Sequence, residues 1–158
     1  MSKRLASDGT QLLYCAETTA GTRPTTGYTE VSDELKSVPE INSTPEQREV
    51  TTFKDAAAGR ATYIPGIKKS NGAAAFKFNN TEDFHTSWAA LLTAYDTAVA
   101  AGKSMWFAIQ IPGLTKAYYI EGAPQALGLD AMDVESVAEI TAYIITLQDY
   151  GFAAKPTT

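Results

Sequence analysis

The feature that most constrains the fold is a single stretch of helical periodicity in a chain of otherwise strand-like pattern. Its apolar residues recur every three or four positions, which is the spacing of one face of an α-helix: Phe84, Trp88, Leu91, Tyr95 and Val99. Asn80 or Thr81 can cap its start, and Gly102 with Lys103 is typical of its end. The other face of this predicted helix is mostly Ala and Thr, so we expect partial cover on both sides.

Most other ordered segments have the pattern of β-strands. Phe76 and Phe78 alternate with Lys77 and Asn79, which is typical of a half-buried strand. Met105, Phe107 and Ile109 recur at every second position of the next strand-like segment and are expected to point inward. The predicted strands cover 11–17, 35–41, 49–53, 72–79, 104–111, 117–126 and 134–149, with a break expected at Gly122. The fold class predicted is mainly β (α+β), a two-sheet sandwich or barrel with one flanking helix.

The 158 residues predict one domain, because domains commonly have about 150 residues. We expect a loose N-terminal arm at 1–10, the domain at 11–149 and a C-terminal tail at 150–158. A Thr-, Gly- and Pro-rich loop is predicted over 18–29. Residues 54–71 are predicted to form a much longer loop, within which 60–64 could pair as a strand with a partner, and loops of that length are usually functional.

The charge of the chain is uneven. The formal net charge is −5, and all of it lies after residue 72, because residues 1–72 carry nine basic and nine acidic side chains. From 117 to 154 there is no Lys or Arg, against six acids: Glu121, Asp130, Asp133, Glu135, Glu139 and Asp149. This balance argues against tight binding of nucleic acid through its phosphates.

Catalytic chemistry finds little support in the sequence. With Cys15 and His85 as the sole Cys and His, the chain can form no internal disulfide and lacks the ligands of a structural zinc site. Neither residue has an evident activating partner, and no phosphate-binding loop motif is present. We expect no enzyme activity, no metal and no cofactor. No apolar run is long enough to cross a membrane and no secretory signal is evident, so synthesis and folding in a cytoplasm are expected, without a membrane anchor.

Two alternatives remain open. A small acidic hydrolase could use Asp133, Glu135 or Glu139, although Glu135 and Glu139 would lie about 13 Å apart on one predicted strand, too far for one metal ion. A ligand-binding β module would need Trp106 or Tyr119 to be exposed, whereas their spacing favours the core.

The predicted long loop carries a resemblance to a known family. The run from Val50 to Gly72, with Asp55, Arg60 and the segment Tyr63-Ile64-Pro65-Gly66 followed by Lys68 and Lys69, resembles the tail tube (major tail) proteins of long-tailed bacteriophages. Segments later in the sequence also fit the pattern of this family, and the similarity extends over roughly residues 35–148. Lys69 departs from the pattern, since an acid is expected there. The family is related to the tube protein of type VI secretion.

The resemblance implies a virion structural protein, assembled in the cytoplasm of a host bacterium. It implies the tail tube fold, six-membered rings made by self-association, and stacking of rings into a conduit for DNA ejection. The implied partners are other copies, the tape measure protein, the tail terminator and distal tail or baseplate proteins, with DNA passing unbound. The loop residues Asp55, Arg60, Tyr63, Ile64, Pro65, Gly66, Lys68 and Lys69 would contact neighbouring subunits. Glu121, Glu135 and Glu139 are candidates for an acidic lumen wall that repels DNA. A secretion-system tube or tail-like particle is the near alternative.

Overall fold

The computed structural model describes residues 4–42, 46–66 and 72–157. Its strands are β1 (Gln11–Ala16), β2 (Thr29–Glu30), β3 (Leu35–Ser37), β4 (Gln47–Glu49), β5 (Tyr63–Pro65), β6 (Ala73–Asn79), β7 (Met105–Gln110), β8 (Lys116–Pro124) and β9 (Glu139–Ala154). Helix α1 (Phe53–Ala57) lies between β4 and β5, and helix α2 (Glu82–Ala100) follows β6. The described part is therefore mainly β with a long flanking helix, and the predicted fold class is confirmed.

Seven of the strands form an antiparallel sheet in the order β2-β1-β7-β8-β9-β6-β3, and β4 and β5 form a separate two-stranded sheet. The edge strands β2 and β3 are joined directly by residues 31–34. Laid flat, seven strands would place the outer two about 29 Å apart. The link from Glu30 to Leu35 spans at most about 18 Å. The sheet must therefore curl into a half-barrel that brings its two edges together.

The main core fills the inner face of this curl. Alternate residues of the strands point inward, where α2 covers them with Phe84, Trp88 and Leu91. Phe78 stacks on Phe84 with ring centroids 4.4 Å apart, and Trp88 Nε1 donates a hydrogen bond to the Gln125 carbonyl at 2.9 Å. The helix predicted from its apolar stripe is confirmed, with Thr81 as the N-cap. The last residue of the predicted stripe is wrong, because Val99 is exposed and Ala98 is buried in its place.

The outer face carries a second, smaller core over β7 and β8. Trp106, Ala108, Ala117 and Tyr119 are buried there, and Tyr28 and Ala153 pack against them. The cover comes from the segment before β2 and from the chain end, where Thr157 pairs with Thr26. The Thr-rich loop thus covers part of this outer face, although its composition predicts that it makes no contact with a core.

Several predicted boundaries differ from the structure. The strand predicted at 49–53 is wrong, because β4 ends at Glu49 and Thr52 caps α1. β8 continues through Gly122, and the break predicted there is found only as a register shift in its pairing with β9 between Glu121 and Gly122. β9 begins at Glu139, not at Val134, so Glu135 does not share a strand with Glu139. β9 then runs to Ala154, into the segment expected to be a tail, because Lys116–Tyr119 of β8 offers it a partner.

Candidate functional site

The first candidate surface is an arm, here residues 46–66, that stands outside both cores. It forms the middle of a long connection between β3 and β6, which are neighbours in the sheet. It contains β4, α1 and β5, and none of these described residues is buried. The segment predicted as a long loop is therefore partly folded. The strand pairing predicted for residues 60–64 is found in part, because β5 pairs with β4.

The arm is organised by its own hydrogen bonds. The Thr52 hydroxyl accepts from the Asp55 amide and the Asp55 carboxylate accepts from the Thr52 amide, both at 3.1 Å, which is a reciprocal capping box. The Thr62 hydroxyl also donates to Asp55. The bonds from Thr52 hold the pKa of Asp55 below its ordinary value. Asp55 therefore fixes the shape of the arm rather than standing free for another molecule.

The arm displays apolar side chains to solvent. The Phe53 side chain is 99% exposed, and Val50, Tyr63 and Ile64 are exposed as well. A two-stranded hairpin is marginally stable in water unless another element packs against it. The arm thus has the features of a segment that completes its packing on a second surface.

The residues predicted for this contact fall on the arm as far as the structure describes it. Arg60, Tyr63, Ile64 and Pro65 are exposed. Gly66 closes the arm, where its amide donates to the Glu46 carbonyl at 2.7 Å and a Cβ would lie 3.1 Å from Glu46 Cβ. Lys68 and Lys69 lie outside the described residues.

The second candidate surface is the β9 face, defined as Tyr143, Ile145 and Leu147. These three side chains point outward from the middle of β9 and are exposed, while Ile144 between them is buried in the main core. β9 is an interior strand, flanked by β8 and β6. Exposed apolar side chains in the middle of a sheet are typical of a docking surface. Sequence analysis missed this face, although the unbroken apolar run Tyr143–Ile145 carries the signal.

The candidate lumen acids separate in the structure. Glu121 pairs with Trp106 across β7 and β8, and Glu139 begins β9, so both lie on the outer face of the large sheet. Glu135 lies in the loop before β9, where its amide donates to Asp133. The structure therefore places two of the three acids on one face of the sheet but far apart, because Glu121 pairs with Gln148 near the other end of β9 from Glu139.

Both of these acids are engaged. The Lys36 ammonium bonds to Glu139, and Lys77 Nζ lies 3.8 Å from the same carboxylate. The bond from Lys36 lowers the pKa of Glu139. The Tyr150 hydroxyl donates to Glu121 at 2.8 Å, and burial together with this carboxylate raises the pKa of Tyr150 to about 12. The acid-only stretch is thus partly neutralised by bases from β3 and β6.

The residues considered for catalysis are placed as follows. Burial raises the pKa of the Cys15 thiol, which disfavours the reactive thiolate. His85 is exposed, with Nε2 2.6 Å from the Asn80 side-chain oxygen. Trp106 and Tyr119 are buried, contrary to what the ligand-binding alternative requires. Within residues 4–42, 46–66 and 72–157, no three His, Cys, Asp or Glu residues are grouped to hold a metal ion. No helix in this part of the chain is long and apolar enough to span a membrane.

Comparison with known proteins gives a match at the level of fold. The chain is similar to a chain in the cryo-EM structure of the anti-feeding prophage baseplate, which was sixfold symmetrised. The fold is shared from end to end. The TM-score is 0.57 at 8% sequence identity, over 97% of this chain and 96% of the other. No protein-family model matches, and no curated protein matches. The similarity therefore lies in the tertiary structure and not in the sequence.

Proposed function

We propose that this protein is a structural subunit of a phage tail or tail-like particle, and that its activity is assembly rather than catalysis. The fold it shares with a baseplate chain supports a tail-associated role. The observation that carries the proposal is the arm, a folded segment of residues 46–66 with none of its residues buried and with Phe53 fully in solvent. In a monomer, the exposed apolar side chains of this segment contribute no hydrophobic stabilisation. In an assembly, a subunit can bury them against a neighbouring subunit.

In its finer form, the proposal is a tail tube subunit in six-membered stacked rings, as the run from Val50 to Gly72 implies. The sixfold symmetry of the neighbour's assembly favours this arrangement. Partners would be further copies, the tape measure protein, the tail terminator and distal tail or baseplate proteins. In a phage, the tube would conduct DNA without binding it. The location would be the tail of the particle.

Replacing the arm tests the proposal. β3 and β6 are antiparallel neighbours, so a short Gly-Ser linker in place of 46–71 can rejoin them. Because the arm contributes no buried residue, we expect the variant to fold with an unchanged urea midpoint. Negative-stain microscopy and light scattering should then show rings or tubes for the natural protein, concentrated or mixed with tape measure protein, and monomers for the variant.

Two results would count against this function. The natural protein could remain monomeric under all these conditions, or the variant could assemble as well as the natural protein. An unfolded variant would show instead that the arm belongs to the core of the domain.

The lumen acids give a further test of the tube. If Glu135 and Glu139 line the channel, Glu135→Lys combined with Glu139→Gln should permit tubes and slow DNA release, because Lys attracts phosphates. Glu139 is replaced by Gln so that no third ammonium group lies beside Lys36 and Lys77. Infectivity equal to that of the natural phage would remove them from the lumen wall.

A further inference from the structure

We propose that two segments of this chain close a clasp over the outer core and open together while the large sheet stays folded. The first segment is the lid, residues 18–28, and the second is the strap, residues 155–157. The closed clasp keeps the apolar patch beneath it out of water, and opening uncovers that patch. This inference goes beyond the proposed function and does not depend on it, because the clasp lies within one chain.

The patch under the clasp is apolar and continues into the exposed surface. Its buried members lie on the outer face of β7 and β8: Trp106, Ala108, Ala117 and Tyr119. The Trp106 ring stacks on Tyr150 with ring centroids 4.3 Å apart, and Tyr150 is 43% exposed. A larger uncovered apolar patch favours association with other molecules. The segments that hold the cover in place therefore control how much apolar surface the free subunit displays.

The lid is held by few contacts. Among residues 18–28, Pro24 is buried, Arg23 and Tyr28 are half-buried, and the other side chains are exposed. The Arg23 guanidinium carbon lies 4.4 Å from the centre of the Tyr119 ring. The Tyr28 ring meets the same ring edge-on, with centroids 6.2 Å apart. Segments with so few buried contacts belong to the least stable part of a fold and open before the rest.

The strap ties the lid to the same tyrosine. The Thr157 amide donates to the Thr25 carbonyl at 2.8 Å, and Thr157 pairs with Thr26 as a parallel β-bridge. At the root of the strap, the Tyr119 hydroxyl donates to the Ala154 carbonyl at 2.6 Å. Tyr119 therefore contacts the lid with its ring and the root of the strap with its hydroxyl group. Because loss of either segment removes a partner of the other, we expect the two to open as one unit.

Both ends of the lid are fixed to the sheet, so its opening stays local. Before the lid, the buried Glu17 carboxylate accepts a hydrogen bond from the Ser104 amide at 2.7 Å. After the lid, the chain enters β2, which pairs with β1. Gly21 and Gly27 have φ angles of 79° and 83°, which glycine adopts without strain. A glycine near each end lets the lid move as a segment between two fixed points.

Amide hydrogen exchange followed by NMR tests whether the lid and the strap open together. Arg23→Gln removes a contact of the lid whose partner is the Tyr119 ring. We expect exchange of the Thr157 amide in the strap to become about fivefold faster, while amides of β7 and β8 keep their rates. Arg4→Gln is the matched control, since it removes the same charge at an exposed site. It should leave exchange of the Thr157 amide unchanged.

Thiol labelling in a Cys15→Ser background tests what the clasp covers. Ala108→Cys places a thiol in the outer core, and the matched control Ala142→Cys places one in the main core, both at positions with 0% exposure. We expect the aromatic disulfide reagent DTNB to label Ala108→Cys more than about tenfold faster than Ala142→Cys, because the clasp opens without the sheet. Adding Arg23→Gln should speed labelling of Ala108→Cys about fivefold and leave Ala142→Cys unchanged.

Each outcome decides the inference. Equally slow labelling of Ala108→Cys and Ala142→Cys would overturn it, because the outer core would then open only with the whole domain. Faster labelling of Ala108→Cys in the Arg23→Gln variant without faster exchange of the Thr157 amide would show that the lid opens alone, which contradicts a single clasp. If a cysteine variant does not fold, exchange of the Thr157 amide in Arg23→Gln decides by itself. All these measurements use dilute monomer, so failure of the protein to form rings would overturn the proposed function and leave the clasp standing.

Discussion

At the scale of single residues, two positions hold the large sheet together in ways that residue type does not reveal. Gly122 lies where β8 passes closely over the core, and a Cβ there would lie 2.6 Å from Ile144 Cγ2. Glu17 is an acid that is only 5% exposed, and its Oε1 accepts a hydrogen bond from the Ser104 amide at 2.7 Å. Gly122 therefore permits close packing between β8 and the core, and Glu17 holds Ser104 in place through a buried hydrogen bond.

We expect Gly122→Ala to lower the free energy of unfolding by about 1–3 kcal/mol, because the methyl group overpacks the core beside Ile144 and Phe107. Urea unfolding monitored by tryptophan fluorescence measures the change. Gly128→Ala is the matched control, since a Cβ at Gly128 meets nothing within 4 Å. Equal stability of the two variants would show that the core relaxes around the added methyl group.

The carboxylate of Glu17 gives a pH-dependent prediction. Burial would raise its pKa, but hydrogen bonds from Ser104 and the Gly21 amide outweigh burial and hold the pKa below its ordinary value. The indole of Trp106 contributes as well, although its Nε1 has no partner in normal hydrogen-bond geometry. A lowered folded-state pKa stabilises the protein above the unfolded-state pKa of about 4.3, and this stabilisation is lost as pH falls through the folded-state value.

We therefore expect Glu17→Gln to cost about 1.5–3 kcal/mol at pH 7, the range for a hydrogen bond to a charged group. The difference from the natural protein should shrink below about pH 4, where the natural carboxylate also becomes protonated. Urea midpoints over a pH series measure it. Glu40→Gln, which removes the same charge at an exposed site, should have no comparable effect. A difference that stays constant with pH would contradict the role given to the carboxylate.

At the scale of elements, the described residues form two helices, α1 and α2, that are capped by the same residue type in different surroundings. Thr52 caps α1 in the arm by accepting from the Asp55 amide at 3.1 Å, and Thr81 caps α2 in the body by accepting from the Phe84 amide at 3.2 Å. Helix α2 buries Phe84, Trp88 and Leu91, whereas α1 buries no residue. The cost of losing each cap should therefore appear in different measurements.

Replacing each threonine by Ala tests this difference. Thr81→Ala should lower the free energy of unfolding of the whole domain by about 1 kcal/mol, the usual cost of an N-cap. Thr52→Ala should leave global unfolding unchanged and speed hydrogen exchange in residues 53–58, because the arm opens locally. A lower urea midpoint for Thr52→Ala would show that the arm and the body unfold as one unit.

At the scale of the whole molecule, the curl of the sheet depends on the short link between its two edges. Within this link the Val31 amide donates to the Leu12 carbonyl at 2.9 Å, and its side chain is buried in the main core. Farther along, the Asn79 amide donates to the Glu34 carbonyl at 2.9 Å. The link thus bonds to β1 near one edge and to β6 near the other.

We expect Val31→Ala to cost about 2 kcal/mol, because it leaves a cavity where the edges meet. Hydrogen exchange should rise in β2 and β3 together. Val38→Ala, which truncates an exposed side chain, should change unfolding by less than about 0.5 kcal/mol. Faster hydrogen exchange in only one of β2 and β3 would contradict the view that Val31 holds both edges of the sheet together.

The sequence by itself determined the elements whose pattern is local. The spacing of Phe84, Trp88 and Leu91 specified α2, and the alternation around Phe76 and Phe78 specified β6, because a helix or strand with one buried face records that face in its residue spacing. The mainly β class follows from counting such segments.

Only the tertiary structure decided which faces remain open. Alternation along β9 does not reveal that Tyr143, Ile145 and Leu147 on its outer face are left exposed by the described part of the chain, because the segments that could cover them lie far away in sequence. Nothing local in 46–66 says that this segment lies outside both cores. The acid-only stretch likewise meets Lys36 and Lys77 through strand pairing across as many as 103 positions. The periodicity of a segment indicates which of its faces is buried. Contacts between residues distant in sequence decide which surfaces stay exposed, and only those surfaces can bind another molecule.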